Sequence, residues 1–413
     1  MKIGLYTLTS PLHDEATVNA TSASFVSEIE EALRLSFELH GPDFSSYGTD
    51  DLSLIYVRTG GTEGLFQEVY ERLEGPVLLL TSGKSNSLAA SMEILSFLNQ
   101  QGRSGEIIHG GVEYIAKRIE VLAKVAKAQR KLRGTRLGVI GKPSDWLISS
   151  EASTVALLKR LGVMLVEIPI SELIEEYHKA EFREEAFPAF RLRMYGVPEA
   201  VSKYYEGACK IYLALNALVE RYSLSGLTLR CFDLLDAVNN TGCLALALLN
   251  AQGVPAGCEG DVPTLVTMAV GNALTGMSGF QANPSRIDPE VGEILFAHCT
   301  IPINMVSDFT FNTHFESGIG MAIAGDIPAG DATVFKLSGD LKRSFCCEAE
   351  LLRCQKEDNL CRTQAVLEIK GTADERTAIC KNYFLKSPIG NHHVVFTGAH
   401  KELFEAFVQQ TLS

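Results

Sequence analysis

The sequence predicts an α/β protein in which two parallel-sheet regions are followed by a β-rich C-terminal region. Over the first 130 or so residues, short apolar runs alternate with segments of helical periodicity, and this alternation resumes near residue 136. Such alternation is typical of a parallel sheet covered by helices. Beyond about residue 300, short alternating runs lie between Gly, Asp and Pro turns, which indicates antiparallel strands.

Composition fits this class and excludes others. The chain has 413 residues and a net charge of −13, with 46% hydrophobic and 21% charged residues. The acidic balance disfavours nucleic acid or anionic lipid as a partner. No run approaches the roughly 18 apolar residues of a membrane span, and the N-terminus lacks the apolar core of a signal peptide. We therefore expect a cytoplasmic protein with no nucleic-acid or membrane partner and with reduced cysteines.

The first region, residues 1–133, is predicted to form one α/β domain. Its apolar runs are rich in Ile, Val, Leu and Tyr, and predict strands at residues 2–8, 52–58, 76–81 and 106–109. Three-to-four spacing predicts helices at residues 24–39, 63–73, 87–100 and 111–133. Glycines follow several of these strands, but their spacing matches neither a P-loop nor a dinucleotide-binding loop, which argues against a nicotinamide-dependent dehydrogenase.

The remainder divides at about residue 300, where helix-rich composition gives way to strand-rich composition. Residues 134–300 are predicted to form a second α/β domain, with strands at 136–141, 163–168 and 227–234 and helices at 153–161, 201–222 and 241–251. Residues 301–413 are predicted to form the β-rich domain, with strands at 332–337 and 364–369 and a helix at 401–409.

One short segment, Gly257-Cys258-Glu259-Gly260-Asp261, combines two carboxylates with a glycine just before a helix. Asp261 is explained by capping, because its side chain would satisfy N–H groups of the first turn. Glu259 has apolar neighbours and no local cation, and a carboxylate in such surroundings needs a cationic partner or a metal ion. A structural and a functional role for Glu259 both remain open on these grounds.

Three histidines are further candidates. His298 ends an apolar run and, taken alone, is better explained by a core position than by a ligand role. His392 and His393 open the strand Val394-Val395-Phe396, and adjacent strand residues face opposite ways, so at most one of them can face a given site. A carboxylate with two imidazoles is a ligand set that suits Mn²⁺ or a similar divalent ion.

Other positions carry weaker signals. Trp146 and Lys142 follow the first strand of the second domain, where ligands of open parallel sheets bind, and Trp146 could stack on a sugar or pack at a domain interface. His314 and Glu316 could supply polar contacts or belong to a structural turn. Five cysteines in the C-terminal region lack metal-site spacing and are expected to be buried or half-buried thiols: Cys346, Cys347, Cys354, Cys361 and Cys380.

Taken in order, several motifs resemble the L-fucose isomerase and L-arabinose isomerase superfamily. They are GVIGKPSDW at 138–146, GCEGD at 257–261, FQANP from 280, FAHC at 296–299, THFESGIG at 313–320 and GNHHVVF at 390–396. The resemblance extends from about residue 134 to 400. It implies two Rossmann-like domains followed by a β-rich domain. It also implies a cytosolic homo-oligomer whose sites are completed by a neighbouring subunit, and a divalent metal, usually Mn²⁺.

The same resemblance assigns roles to individual positions. Glu259 matches a carboxylate that binds the metal and transfers protons, and His298 matches a ligand of the arabinose branch. One of His392 and His393 matches the C-terminal metal histidine. Asn283 stands where the family's second catalytic carboxylate is expected; an amide oxygen is a weak ligand and exchanges no proton near neutral pH.

The predicted function is therefore a metal-dependent isomerase that interconverts the aldose and ketose forms of a free small sugar through an enediol. Such a reaction needs a base and an acid beside the carbonyl carbon. Because Asn283 weakens that pair, the alternative is a sugar-binding or regulatory relative on the same scaffold that has lost catalysis.

Overall fold

The computed structural model describes residues 1–187, 190 and 192–412, and it confirms the predicted fold class. Two parallel sheets are followed by a β-rich region that contains a closed barrel. The chain forms two compact units, Met1–Arg130 with Glu405–Ser413, and Lys131–Phe404. The division into three domains at residues 133 and 300 stays a prediction.

The first unit is built on a parallel sheet with strand order β2-β1-β3-β4-β5. Buried apolar side chains form one cluster around Ile3 and Leu54 and another around Tyr6 and Ile55, so β1 and β3 bury both of their faces. Its strands are β1 (Ile3–Leu8), β2 (Glu38–Gly41), β3 (Leu52–Val57), β4 (Val77–Thr81) and β5 (Gly105–Ile108), and its helices are α1 (Glu15–Leu33), α2 (Glu63–Tyr70), α3 (Ser87–Gln100) and α4 (Val112–Leu132).

The prediction of a helix over residues 24–39 was wrong at both ends. Helix α1 begins earlier because the Asp14 side chain accepts the Thr17 N–H and caps it. The helix ends at Arg34, which adopts a left-handed conformation with φ of +52°. Beyond it, Leu35, Phe37 and Leu39 alternate with polar residues, and this two-residue period continues into strand β2 on the edge of the sheet.

The second unit begins with a parallel sheet of strand order β7-β6-β8-β9. The predicted strand at 227–234 was too long: β8 stops at Leu229, and the N–H groups of Asp233 and Leu234 bond back to Arg230 and Cys231 as a helix starts. The strands are β6 (Arg136–Ile140), β7 (Met164–Ile168), β8 (Gly226–Leu229) and β9 (Ala256–Cys258). The helices are α5 (Thr154–Ala156, continued by a π-helix over Leu157–Leu161), α6 (Ile170–Lys179), α7 (Glu199–Ser202), α8 (Tyr205–Tyr222), α9 (Asp233–Val238), α10 (Cys243–Ala251) and α11 (Val262–Thr275).

The β-rich region is a closed barrel in the order β10-β11-β16-β15-β14-β17, with antiparallel neighbours throughout. Alternate residues such as Ile294 and Phe296 on one strand and Ala365 and Leu367 on the next belong to one buried cluster. The strands are β10 (Phe280–Asp288), β11 (Glu293–His298), β12 (Asp308–Asn312), β13 (Ala322–Asp326), β14 (Gly330–Leu337), β15 (Ser344–Gln355), β16 (Thr363–Ile369) and β17 (His393–Thr397), and the helices are α12 (Ala373–Ala378) and α13 (Lys401–Thr411). Strands β12 and β13 form a separate pair.

Within this unit, the barrel is joined to the parallel sheet by the Gln281 side chain. Its Oε1 accepts the Cys258 backbone N–H at 2.8 Å, and its Nε2 donates to the Cys258 carbonyl at 3.4 Å. The end of β9 is thereby held beside β10, and the loop after β9 faces the barrel. Among the helices that the structure describes, none combines the length and apolar character needed to cross a bilayer.

Candidate metal centre

Three side chains from distant parts of the chain converge on one point. Glu259 follows β9, His298 ends β11 and His392 precedes β17. One potential ligand atom from each lies within 4.8 Å of the other two. Glu259 Oε1 is 3.4 Å from His392 Nε2 and 3.8 Å from His298 Nε2, and both imidazoles are buried. The arrangement is a carboxylate facing two imidazoles in a largely dry setting.

Backbone geometry turns the Glu259 carboxylate toward the imidazoles. Glu259 has a φ of +64°, a left-handed conformation that is unusual for a residue with a Cβ atom. Its carbonyl accepts the Ser144 N–H, and the N–H of Gly260 bonds to Leu229 at the end of β8. On the outer side, Trp146 Nε1 donates to Glu259 Oε2 at 2.6 Å. One carboxylate oxygen is thus held by Trp146, and the other faces the imidazoles.

His392 is oriented by Asp261. The Nδ1 atom donates to Asp261 Oδ2 at 2.8 Å, which leaves Nε2 turned toward Glu259. That Nε2 is buried and has no hydrogen-bond partner among the described residues. Asp261 also caps α11 by accepting the Thr264 N–H, so one side chain begins a helix and directs an imidazole. A carboxylate behind a ligating histidine is the common support of metal-bound imidazoles.

His298 is held from its other nitrogen. Its Nδ1 lies 2.9 Å from Thr300 Oγ1, and its ring meets the His392 ring at 72° with centroids 5.4 Å apart. Both Nε2 atoms therefore approach Glu259 Oε1 from different directions. The two imidazoles and the Glu259 carboxylate are therefore placed so that all three can bind the same metal ion.

Electrostatics couple the three groups. Burial alone would raise the pKa of Glu259, but the nearby imidazoles of His298 and His392 hold it well below its usual range. Burial works against a charged His392, yet Asp261 and Glu259 raise its pKa to about 9. Burial lowers the pKa of His298, with Glu259 opposing the shift. The carboxylates therefore require a compensating cation, which a proton on His392 or a metal ion can supply.

Of the two residues after the first strand of this unit that were predicted to contact substrate, Trp146 lies at the site and Lys142 lies on the surface. Trp146 is 51% exposed and bonds directly to Glu259. Its ring meets Phe232 edge-on at 4.8 Å, and Phe232 meets His314 in the same way at 5.4 Å. The rings of Trp146, Phe232 and His314 therefore pack in a row that begins beside Glu259. Lys142, in contrast, is exposed and pairs with Asp145 at 3.5 Å.

The segment after β12 contributes His314 and Glu316. His314 Nδ1 is 3.0 Å from Ser317 Oγ, and burial, together with His298, lowers the pKa of His314 to about 4. Burial and the negative charge of Glu259 raise the pKa of the Glu316 carboxyl. Glu316 therefore lies close enough to the centre for the charge of Glu259 to affect its pKa.

Asn283 and His393 have hydrogen-bond partners outside the candidate centre. Asn283 Oδ1 accepts a hydrogen bond from Asn391 Nδ2 at 3.1 Å. His393 Nε2 lies 2.8 Å from Tyr383 Oη, and burial with the charge of Lys336 lowers the pKa of His393 to about 3. Of the two adjacent histidines, His392 is the one facing Glu259. His393 instead lines a cavity of about 470 Å³ that Trp146 and Asn391 also border.

Two residues close to the centre, Asp261 and Lys336, were not predicted from the sequence to belong to it. Asp261 was interpreted only as a helix cap, and its bond to His392 depends on a residue 131 positions away. Lys336 lies within the predicted strand at 332–337, and a single lysine in so apolar a run was an available signal. The five C-terminal cysteines are buried or half-buried, as predicted. Among the described residues, none of them belongs to the group of three ligands.

No protein-family model matches the chain. The chain is similar to a sulfoquinovose isomerase of Clostridium sp. (strain MSTE9), with 27% identity over 237 residues. The match covers 54% of this chain and 52% of the relative, so the chain spans about half the length of the curated relative it matches.

Proposed function

We propose that the protein is a metal-dependent isomerase that interconverts the aldose and ketose forms of a free small sugar through an enediol. The observation that carries the proposal is the convergence of Glu259, His298 and His392 on one point. Two further points support it: the similarity to an isomerase that is named for a sugar, and the resemblance of the ordered motifs to those of the L-fucose and L-arabinose isomerases.

The residues present fit a divalent metal ion. His392 Nε2 is a buried polar atom without a hydrogen-bond partner among the described residues, and it faces a carboxylate. One carboxylate with two imidazoles suits Mn²⁺ and similar ions. Glu259, His298 and His392 would hold the ion, with the Asn283 amide oxygen as a weaker fourth candidate. When bound, such an ion supplies positive charge that stabilises an enediolate.

In this proposal Glu259 moves the proton. Isomerisation removes a hydrogen from C2 of the aldose and delivers one to C1, while the hydroxyl proton moves from O2 to O1 by exchange with solvent. A single carboxylate can remove the proton from C2 and deliver it to C1 when it lies against one face of the enediol. The amide at Asn283 therefore does not block the route. Trp146 holds Glu259 Oε2 in place, and its ring offers an apolar face to the sugar.

The test is an isomerisation assay over a panel of pentoses, hexoses and sulfoquinovose, with and without Mn²⁺. We expect turnover of at least one sugar and its loss on chelation. Glu259→Gln should reduce kcat by about 10²- to 10⁴-fold, the usual contribution of a positioned proton-transfer group. The exposed Glu290→Gln is the matched control and should retain activity. Full activity in Glu259→Gln, or no turnover of any sugar by the unaltered chain, would refute the proposal.

A second candidate is a sugar-binding protein without catalysis. The observation in its favour is Asn283, whose amide pairs with Asn391 where the related enzymes are expected to have an acid. This candidate predicts that a sugar raises the free energy of unfolding without being converted. The same panel separates the two when the free energy of unfolding is also measured with each sugar, because product formation and binding are then reported together.

Three accompanying expectations belong to this proposal. They are Mn²⁺ as the metal, a cytoplasmic location, and a homo-oligomer in which a neighbouring subunit completes each site. All three derive from the sequence and its family resemblance.

A further inference from the structure

A lysine is buried behind the metal centre. Lys336 lies near the end of β14 and is 1% exposed. Its ammonium donates to Thr264 Oγ1 at 2.6 Å and lies 3.9 Å from Asp261 Oδ2. Burying an ammonium group is costly unless it is paired, and a methionine would fill similar space without that cost. A role in packing alone therefore does not explain a lysine at this position.

The groups around Lys336 hold Asp261 from several sides. Asp261 Oδ1 accepts the Thr264 N–H at 2.8 Å, while Oδ2 accepts His392 Nδ1–H at 2.8 Å. Thr264 thus contacts the carboxylate through its N–H and the ammonium through its hydroxyl. The side chains of Asp261 and Lys336 are both fully buried, with exposures of 0% and 1%. Water competes little for either group, so these contacts determine how the carboxylate is turned.

The orientation of Asp261 decides which nitrogen of His392 faces Glu259. An imidazole whose Nδ1 carries the proton presents its lone pair at Nε2. While Asp261 Oδ2 accepts from Nδ1, the Nε2 atom is directed at Glu259 Oε1, 3.4 Å away. If the Asp261 carboxylate rotated, neither the tautomer of His392 nor the orientation of its ring would be held. Supporting contacts of this kind typically alter metal affinity by about 10- to 100-fold.

We propose that Lys336 is a positioning residue for the metal centre, acting through Asp261 to fix the orientation of His392. Lys336 touches neither substrate nor metal in this scheme. The inference rests on the proposed metal site and extends it to a residue 56 positions before His392 that carries no known metal-ligand chemistry of its own.

The test measures Mn²⁺ affinity of the full chain by calorimetry in a double-mutant cycle of Lys336→Met and Asp261→Asn. We expect Lys336→Met to weaken binding by about 10- to 100-fold in the parent chain. In the Asp261→Asn background it should change the dissociation constant by less than about threefold, because the route through the carboxylate is already lost. Lys342→Met, at an exposed lysine in the following turn, is the matched control and should bind like the parent.

Thr264→Val keeps the test decisive should Lys336→Met fail to fold. It removes only the hydroxyl that accepts from Lys336 and should also weaken Mn²⁺ binding, to a smaller extent than Lys336→Met. Parent-like affinity in both Lys336→Met and Thr264→Val would overturn the inference. Equal losses from Lys336→Met in the parent chain and in the Asp261→Asn background would overturn it as well.

The inference and the proposed function fail in distinguishable ways. A parent chain that binds no Mn²⁺ overturns both. A parent chain that binds Mn²⁺ but converts no sugar overturns the isomerase, while the coupling between Lys336 and Asp261 stands on the measured affinities.

Discussion

At the scale of single residues, the candidate centre depends on an unusual pair of backbone conformations. Glu259 and Gly260 both have positive φ, at +64° and +70°. For a residue with a side chain, this conformation costs about 1–3 kcal/mol and persists where surrounding contacts enforce it. Here the enforcing contacts are bonds from Ser144 and to Leu229. The strained bend turns the carboxylate out of the strand direction and toward the two imidazoles.

The first prediction concerns Gly260. A Cβ atom at this position would lie 2.5 Å from the Lys142 carbonyl oxygen and 2.8 Å from Pro143 Cα, both backbone atoms. Gly260→Ala should therefore reduce the free energy of unfolding by the left-handed penalty of about 1–2 kcal/mol plus the cost of displacing the 142–143 backbone. Denaturant unfolding measures the loss.

Gly253→Ala is the control for Gly260→Ala. Gly253 has a φ of +83° with nothing within 4 Å of its Cβ position, so it carries only the conformational penalty. The difference between the two variants isolates the steric part. Equal losses would show that the approach of Lys142 and Pro143 to Gly260 is without energetic consequence.

Glu259 was singled out within its own segment because it is a carboxylate among apolar neighbours. His298, at the end of an apolar run, was assigned as a ligand only through the family resemblance. The sequence did not distinguish His392 from His393, since the choice depends on which face of β17 meets the loop after β9. The bond from Asp261 to His392 was also beyond reach, because a helix cap and a metal-supporting carboxylate have the same local sequence signature.

At the scale of secondary-structure elements, α11 begins directly after Asp261 and β17 directly after His392, and the two elements pack closely together. Gly271 in α11 and Gly279 before β10 both face the ring of Phe396 on β17. Without a side chain at either glycine, the ring fits against the helix. This contact fixes the separation of the two elements and, through them, the distance between Asp261 and His392.

The second prediction tests that contact with Gly271→Ala. The added methyl group would overlap the Phe396 ring, and the rigid aromatic has little room to move in a buried setting. We expect a loss of about 1–3 kcal/mol in the free energy of unfolding, as for other overpacked cores. Because the clash also separates α11 from β17, Mn²⁺ affinity should fall with it.

The compensating variant Phe396→Leu decides the cause. In combination with Gly271→Ala it should recover part of the lost stability, because the smaller side chain leaves space for the methyl group. Additive losses in the double variant would show that Gly271 matters for another reason, such as helix geometry.

Element boundaries show where sequence patterns are ambiguous. Residues 35–39 fit both the end of a helix and the start of a strand, and the pairing of Glu38 and Leu39 with β1 places those two residues in the strand. Residues 230–234 are equally apolar, yet bonds back to Arg230 and Cys231 start α9 there. In both cases the outcome was decided by hydrogen-bond partners that a local pattern does not contain. By contrast, α3 and β4 were predicted almost to the residue, at 87–100 and 76–81.

At the scale of the whole molecule, the centre is a product of tertiary structure. Its three candidate ligands stand at positions 259, 298 and 392 and belong to the unit Lys131–Phe404. No short peptide from this chain contains all three. A metal ion bound by them therefore binds the folded unit and not the unfolded chain, so binding free energy adds to the stability of that unit.

The third prediction follows from that linkage. At a Mn²⁺ concentration about 100 times its dissociation constant, the ion should add about 2.7 kcal/mol to the free energy of unfolding of the unit that binds it. Because the chain has two compact units, a single melting temperature is a poor measure, and amide hydrogen exchange is the appropriate one. Mn²⁺ should slow exchange around Glu259, in β11 and in β17, while the sheet of β1 to β5 exchanges as before.

His298→Ala should abolish the slowing at all three places, since each depends on the same ion. Slowing in the first unit as well, or slowing that survives in His298→Ala, would show that Mn²⁺ binds elsewhere.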